Sequence, residues 1–529
     1  MTATAVASDI GARFDAAAKR LGGKAALIHR GETTSWTDLA AEVEALAKGF
    51  VRSGLKTNDR VAVLVPPSRE FFAAAFALFR SGATPVLIDP GIGFANMGRC
   101  LAEAEPVAFV GSPKAHLARV LGRWAPSARM RVASAPFFGL PTLADVRVLG
   151  ERGVKELSAV NPEGRAGILF TSGSTGAPKG VVYEHRMFDA QIALLKDMFG
   201  IEEGDASVAT FPLFALFDLA LGQTVVLPEM DFTRPGFVDP LEIVGACQKH
   251  RARQLFGSPA LLDRVGRYGE RHGIALPDLK RVMSAGAPVP AKTLARFGAM
   301  LEPGTPIHTP YGATEALPVA LTDSREILTE TARLTADGKG TCVGKPVNGL
   351  RVEVIGVTDE PIKTWSDALR APEGEVGEIC VKGPQVTVEY FRRPEDMAKA
   401  KIGDGDGHWH RMGDLGYFDE KGRLWFCGRK AHRVGRLFTD PVEGVFNAVE
   451  GVRRTALLNV NGKPVLCVEK ENDANETDIK RKILDLARST ASTWVNDTNV
   501  LFHDAFPVDI RHNAKIFREK LAVWAEGRL

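Results

Sequence analysis

Apolar residues recur at helical intervals from Thr37 to Phe50 (Leu39, Val43, Leu46, Phe50), and a short β-branched run, Arg60 to Val65, follows before Pro66-Pro67 closes it. The first pattern predicts an amphipathic helix and the second a buried strand. The alternation repeats: Phe71, Phe72, Phe76, Leu78 and Phe79 predict a helix from Glu70 to Phe79, Gly82 stops it, and Pro85 to Ile88 begins the next strand. Such alternation implies a largely parallel sheet with helices on its faces.

The same rhythm returns at Asp218 to Leu227, Pro240 to Ser258 and Leu279 to Ser284. After about Glu373 the texture changes to short strands with turn signals, and Glu420-Lys421-Gly422 predicts a tight hairpin. From Ala431 onward a further set of strand and helix patterns appears, including a helix over Ile479 to Ala487. The fold class is therefore α/β: a large N-terminal domain of layered α/β sheets plus a β-subdomain (residues 1–428), and a small C-terminal α+β domain (residues 429–529), with the boundary near Arg429 to Arg433.

Composition narrows the classes. A chain of 529 residues exceeds one ordinary core and supports several lobes. Basic and acidic residues number 67 and 64, net charge +3, with no long Lys/Arg run, which argues against a nucleic-acid partner. Six isolated cysteines without a CxxC pair argue for a reducing compartment and against structural zinc. Asp9, Arg13 and Asp15 interrupt the N-terminus before a signal-peptide core forms, and no stretch approaches the roughly 18 apolar residues of a membrane span. A soluble cytoplasmic protein is expected.

The chemistry concentrates in Thr171-Ser172-Gly173-Ser174-Thr175-Gly176-Ala177-Pro178-Lys179-Gly180, set between the apolar runs Ile168 to Phe170 and Val181 to Tyr183. Gly173 and Gly176 free the backbone to wrap an anion, the hydroxyls of Thr171, Ser172, Ser174 and Thr175 can donate to phosphate oxygens, and Lys179 adds a point charge. Pro178 before the lysine and Gly180 after it exclude a Walker loop. A Ser/Gly linker would share the composition, but not the placement between two buried strands.

With this loop, Ser284 to Pro288 (SAGAP), Tyr311 to Glu315 (YGATE), Gly377 to Ile379 (GEI), Gly413-Asp414, Gly428-Arg429 and Asn513 to Ile516 (NAKI) follow in order. Together they resemble the adenylate-forming superfamily of acyl-CoA synthetases, adenylation domains and luciferases. The resemblance implies ATP and Mg2+ as cofactors. It places Gly286, Ala287, Tyr311 and Gly312 around adenine, Thr314 and Glu315 at phosphate and magnesium, Asp414 at the ribose hydroxyls and Arg429 beside the sugar. Lys515 corresponds to the catalytic lysine of a mobile C-terminal domain, and Lys179, Thr314 and Glu315 complete the implied catalytic set. In isolation Asp414 reads as a turn cap, Glu315 as a helix start and Lys515 as a solvated surface charge; their joint order carries the assignment.

Three places in the chain depart from thiol-using relatives. Ala215 stands in Phe211 to Phe217 (FPLFALF) where many ligases have histidine, the hinge reads Lys430-Ala431-His432-Arg433 without an acid or a glycine pair, and Met412 replaces the threonine before Gly413-Asp414. These departures, with Gly180 to Gln191 and Phe506 to Ile516, resemble the β-lactone synthetases of bacterial long-chain olefin biosynthesis. That resemblance implies a 2-alkyl-3-hydroxy fatty acid, activated and closed to a β-lactone, with other olefin-pathway enzymes as partners. Carboxyl adenylation is the working hypothesis for the first step, and the motifs leave open which substrate oxygen is activated. The competing readings are a long-chain acyl-CoA or acyl-carrier ligase and a nucleotide-binding protein without catalysis.

Two further patterns carry expectations. His408-Trp409-His410 with Asp404 and Asp406 reads as a polar glycine-rich loop rather than a metal site. The phenylalanine-rich segments around Phe71 and Phe211 could line an acyl channel, but their spacing assigns most of them to core.

Overall fold

The computed structural model describes residues 9–153, 157–171, 178–490, 492, 494–509 and 515–529, the side chains of Pro90 and Thr171 excepted. The first predicted helix spans Trp36–Arg52: the Ser35 side chain accepts from the Asp38 N–H at its start, and Leu39, Val43, Leu46 and Phe50 are buried along one face. The second spans Arg69–Arg80 and is capped by Ser68. Every residue from Phe71 to Phe79 is buried, so this helix is enclosed on all sides. Phe71, Phe72, Phe76 and Phe79 are thus core, as their spacing predicts, each worth about 1.5–3 kcal/mol of burial.

Two large sheets carry the N-terminal part. One has seven strands among the described residues, in the order Glu389–Tyr390, Lys179–Glu184, Arg165–Thr171, Thr84–Ile88, Arg60–Leu64, Ala108–Gly111, Met130–Ala133. It is parallel from Arg165–Thr171 outward and antiparallel at Lys179–Glu184. The glycine-rich loop therefore joins two antiparallel neighbours, with Thr171 paired to Lys179 at its base.

The other sheet has fourteen strands among the described residues. Ala25–His29, Thr224–Leu227, Ala206–Ala209, Gln254–Phe256, Arg281–Met283 and Ile307–Ala313 lie side by side in parallel. Ala316–Asp323 then turns back on Ile307–Ala313, and all subsequent pairing, through Thr341–Pro346, Leu424–Arg429, Gly407–Phe418, Gly377–Lys382 and Arg351–Ile355, is antiparallel. The change of texture thus begins near residue 316, earlier than the turn signals after Glu373 suggest, because the apolar Ala316–Asp323 run does not reveal its direction. Leu424–Arg429 pairs with Gly407–Phe418 across the predicted hairpin.

His408 to His410 do not form a loop. They lie in the strand Gly407–Phe418, paired with Lys401–Asp404 across a tight turn at Gly405, and Trp409 and His410 are buried. The glycines at 403, 405 and 407 mimic a loop composition while serving one turn. No group of three or more metal-ligating side chains occurs among the described residues.

After Arg429 the chain builds a separate core on a sheet of Val452–Val460, Lys463–Lys470 and Val500–Phe502, covered by the helices Glu476–Ser489 and Arg518–Glu526. Its first helix, Thr439–Asn447, packs close to Gly428. Gly428 adopts φ 115°, and a Cβ there would meet Thr439 Oγ1 at 1.9 Å, so glycine is required where the two parts touch. No described helix is long and apolar enough to cross a membrane.

Candidate active site

Ile307–Ala313 crosses the seam between the parallel and antiparallel halves of the larger sheet and brings Tyr311 beside Asp414 and Arg429 from the hairpin partners. The Tyr311 hydroxyl donates to Asp414 Oδ2 at 2.6 Å, and Arg429 Nη1 donates to Asp414 Oδ1 at 2.6 Å. Burial, reinforced by the neighbouring carboxylate, raises the Tyr311 phenol well above its usual range, so it remains a donor at neutral pH. Asp414 is buried, and each of its oxygens retains capacity for another donor. Met412 is packed into the adjoining core, and its carbonyl accepts from Arg429 Nη1 at 3.4 Å.

Glu315 sits, half-buried, in the tight turn after that strand rather than at a helix start. Tyr390 donates its hydroxyl to Glu315 Oε1 at 2.6 Å. The Tyr390 ring also lies 5.2 Å from Lys179 Nζ, which pairs with Asp396 Oδ1 at 2.7 Å. One tyrosine thereby spans two of the charged residues picked out by motif. The Thr314 carbonyl accepts from the Tyr183 hydroxyl, and the Glu315 carbonyl accepts from the Thr387 N–H at 2.9 Å.

Lys401 enters this neighbourhood from the side. Its Nζ donates to the Thr387 carbonyl, and burial pushes its ammonium down to about 7, partly offset by the Glu315 charge. His408 Nε2 lies 3.1 Å from the same carbonyl, and burial with the Lys401 charge lowers that imidazole to about 4.

Gly286 adopts φ 94° in the bend after Arg281–Met283, Ala287 follows it, and Ser284 N–H holds the His308 carbonyl at 2.9 Å, tying that bend to the Tyr311 strand. A Cβ at Gly312 would approach the Ala316 carbonyl to 2.6 Å. Ser172, Gly173, Ser174, Thr175 and Gly176 lie outside the described residues, as does the Thr171 side chain. Lys515 is exposed on the C-terminal part, where its N–H donates to Asp509 Oδ1 at 2.8 Å. The structure thus gathers Tyr311, Asp414 and Arg429 in one group and Glu315 and Lys179 around Tyr390, whereas Lys515 belongs to the other lobe.

An apolar cavity opens on the far side of the Tyr311 strand, lined by Leu195, Phe199, Phe211, Phe214, Phe217, Phe256, Met283, Pro310 and Leu317 among others. Ala285, within the SAGAP segment, also lines it. The second phenylalanine-rich segment is therefore pocket wall, in contrast to its assignment to core. The helix Pro212–Ala220 turns Phe214 and Phe217 to the cavity and leaves Ala215 fully buried in the core. Asp218 and Gln254 add a polar edge: Asp218 accepts from Ser207 Oγ at 2.8 Å and Gln254 Nε2 at 2.9 Å, and burial lifts its carboxyl to about 6.

The altered hinge is held on one side. Lys430 Nζ donates to the Thr358 carbonyl at 2.9 Å and to Glu378 Oε2 at 3.1 Å, Glu378 being the acid of the GEI segment. Arg411, buried like Glu378, pairs with the same oxygen at 2.6 Å, and Arg433 reaches Asp359 at 2.9 Å.

The AMP-binding enzyme family matches residues 14–391 of this sequence. The chain belongs to that family. This AMP-binding enzyme is 48% identical over 512 residues to an olefin beta-lactone synthetase of Stenotrophomonas maltophilia, covering 94% of this chain and 92% of the relative. It is 46% identical to an olefin beta-lactone synthetase of Xanthomonas campestris, covering 93% and 91%. Among solved structures, the amide bond synthetase of Marinactinospora thermotolerans shares the fold at TM-score 0.79 and 23% identity, over 98% of this chain and 99% of that one. The protein is an AMP-forming ligase.

Tyr390, Asp396, Tyr183, Lys401 and Glu378 escape motif reading as partners of the site. Tyr183 and Glu378 stand inside recognisable strings, but nothing local to Tyr390 or Lys401 signals that antiparallel pairing will place them near Glu315.

Proposed function

We propose that this AMP-forming ligase activates a long-chain 2-alkyl-3-hydroxy fatty acid as its acyl-adenylate and closes it to a β-lactone, releasing pyrophosphate and AMP. The observation that carries the reading is the adjacency of Pro310 and Tyr311: one lines the apolar cavity and the other bonds Asp414, so an acyl pocket and a nucleotide cluster share one strand. The identity to two olefin beta-lactone synthetases over nearly the whole chain supports the choice of product.

A carboxylate is a poor electrophile because attack would add charge to an anion. Its own oxygen instead attacks the α-phosphorus of ATP, and the bond to pyrophosphate breaks. In this scheme Tyr311, Gly286, Ala287 and Gly312 surround adenine, and Asp414 with Arg429 holds the ribose. Thr171 to Gly176, Thr314 and Lys179 offset phosphate charge. Magnesium favours one or two carboxylates plus phosphate oxygens, and Glu315, oriented by Tyr390 beside those phosphates, fits that donor set. Bound there, the ion would screen the charge of the departing pyrophosphate. Residues 429–529 act as a mobile domain that carries Lys515 to the α-phosphate and carboxylate.

For closure, the 3-hydroxyl oxygen attacks C1, the bond from C1 to the AMP oxygen breaks, and the hydroxyl proton leaves with AMP. Tethering the hydroxyl to the activated carbonyl supplies effective molarity against ring strain, and no thiol needs to approach the hinge now occupied by Lys430. A decarboxylating partner downstream would consume the lactone.

The test supplies a 2-alkyl-3-hydroxy acid and ATP with and without coenzyme A, and follows AMP and lactone by mass spectrometry. Lactone and AMP independent of coenzyme A are expected, whereas strict dependence on coenzyme A with thioester as product overturns the reading.

A further inference from the structure

The helix His185–Phe199 presents Gln191, Leu195 and Phe199 to the acyl cavity at successive intervals of four, so one amide interrupts an otherwise apolar stripe. Gln191 is only 3% exposed. Its Nε2 donates to the Leu317 carbonyl at 2.8 Å and lies beside the Tyr183 phenol. Because a carbonyl can only accept, that bond fixes the amide orientation and leaves Oε1 as an acceptor. Oε1 is buried and has no hydrogen-bond partner among the described residues.

A buried amide oxygen without a donor opposes folding, and Leu or Met would fill the same stripe without that cost. The position is also specific. Thr314 shares the turn with Glu315, Leu317 lies in the strand Ala316–Asp323 that leaves that turn, and Tyr183, beside Gln191, donates to Thr314. Gln191 therefore lies where the cavity meets the turn of Thr314 and Glu315, the end at which the carboxyl of an acid would stand under the function proposed above.

We propose that Gln191 Oε1 accepts a hydrogen bond from the 3-hydroxyl of the substrate, making Gln191 the residue by which the pocket distinguishes a 3-hydroxy acid from a plain fatty acid. The inference rests on the function proposed above and deepens it. A 3-hydroxyl is the single donor on an otherwise apolar chain and lies two carbons from the carboxyl carbon, so it belongs at the same end of the cavity as Gln191. A site that hydrogen-bonds a hydroxyl rejects the analogue lacking it, because the acceptor is then left buried and unpaired.

The experiment measures pyrophosphate exchange on the full-length enzyme with a 2-alkyl-3-hydroxy acid, its 3-deoxy counterpart and its 3-fluoro counterpart. In the wild type, kcat/KM for the hydroxy acid exceeds that of both analogues by about tenfold or more, since fluorine cannot donate. Gln191→Met brings the hydroxy-to-deoxy ratio close to one. An unchanged ratio in a folded Gln191→Met overturns the proposal. If that variant fails to fold, the wild-type series decides: a fluoro acid handled like the hydroxy acid overturns it, and one handled like the deoxy acid supports it. Wild-type enzyme that activates no 3-hydroxy acid defeats the proposed function and this inference with it, whereas activation of hydroxy and deoxy acids alike defeats this inference alone.

Discussion

The Tyr311 hydroxyl holds Asp414 at 2.6 Å across 103 positions of sequence, and Arg429 holds the other carboxylate oxygen at the same distance. The carboxylate we propose for the ribose is thereby oriented by the aromatic side chain we propose for the adenine, so the two halves of the proposed nucleoside site are joined. Removing the phenol alone should loosen Asp414 without unfolding the strand. Tyr311→Phe is expected to raise the KM for ATP roughly tenfold or more, the scale of one hydrogen bond to a charged group, with a smaller change in KM for the acid. Pyrophosphate exchange at varied ATP reads both.

Glu315 and Tyr390 make the second such pair. Glu315→Gln keeps an acceptor for the phenol but removes the charge that we propose holds magnesium. Exchange is expected to fall by about two to three orders of magnitude, with the magnesium optimum displaced upward. Tyr390→Phe, which leaves the charge and frees its orientation, should produce a smaller loss. A magnesium titration of exchange in both variants checks the order.

Lys515 tests the contribution of the C-terminal part. Lys515→Ala is expected to slow adenylate formation by orders of magnitude while leaving ATP affinity nearly unchanged, because Tyr311, Asp414 and Arg429 remain. Single-turnover formation of acyl-adenylate measures the step, and a rate near wild type would remove Lys515 from the mechanism.

At the hinge, Lys430→Ala should destabilise the protein by about 1–2 kcal/mol, since Arg411 continues to neutralise the buried Glu378. Lys430→Asp places a second carboxylate beside Glu378 and should cost more. Urea midpoints of the two variants, compared with wild type, give the ranking.

Asp218 supplies the pH dependence. Its carboxyl is lifted from 3.8 to about 6 by burial, so the folded protein keeps a proton that the unfolded chain releases between those values. Stability from this group therefore falls as pH rises through that window and levels off above it, by on the order of 2–3 kcal/mol in all. Asp218→Asn removes the titration. Its stability relative to wild type should rise by that amount between pH 4 and pH 7, read from denaturation midpoints at each pH.

How much of this is legible in the sequence follows from the range of each interaction. The buried helix at Phe71 to Phe79 and the hairpin at Glu420 to Gly422 are local patterns, and both stand where periodicity places them. The strand through His408 to His410 was hidden by glycines that serve a turn two residues away. Phe214 and Phe217 have the spacing of core residues, and only the packing of Phe256, Met283 and Pro310 opposite them makes a cavity wall. Tyr390 and Lys430 find their partners, Glu315 and Glu378, in segments 50 or more residues away, a proximity that no window of sequence contains.

The strand Ile307–Ala313 has one more consequence. Successive residues on it face opposite ways, so Pro310 lines the cavity while Tyr311 bonds Asp414. Under the function proposed above, substitutions on the cavity side, at Pro310 or at Phe214 and Phe217 opposite it, should retune which acid is accepted while the contacts of Tyr311, Asp414 and Arg429 stay in place. Such a scaffold lends itself to redesign by exchanging one wall at a time.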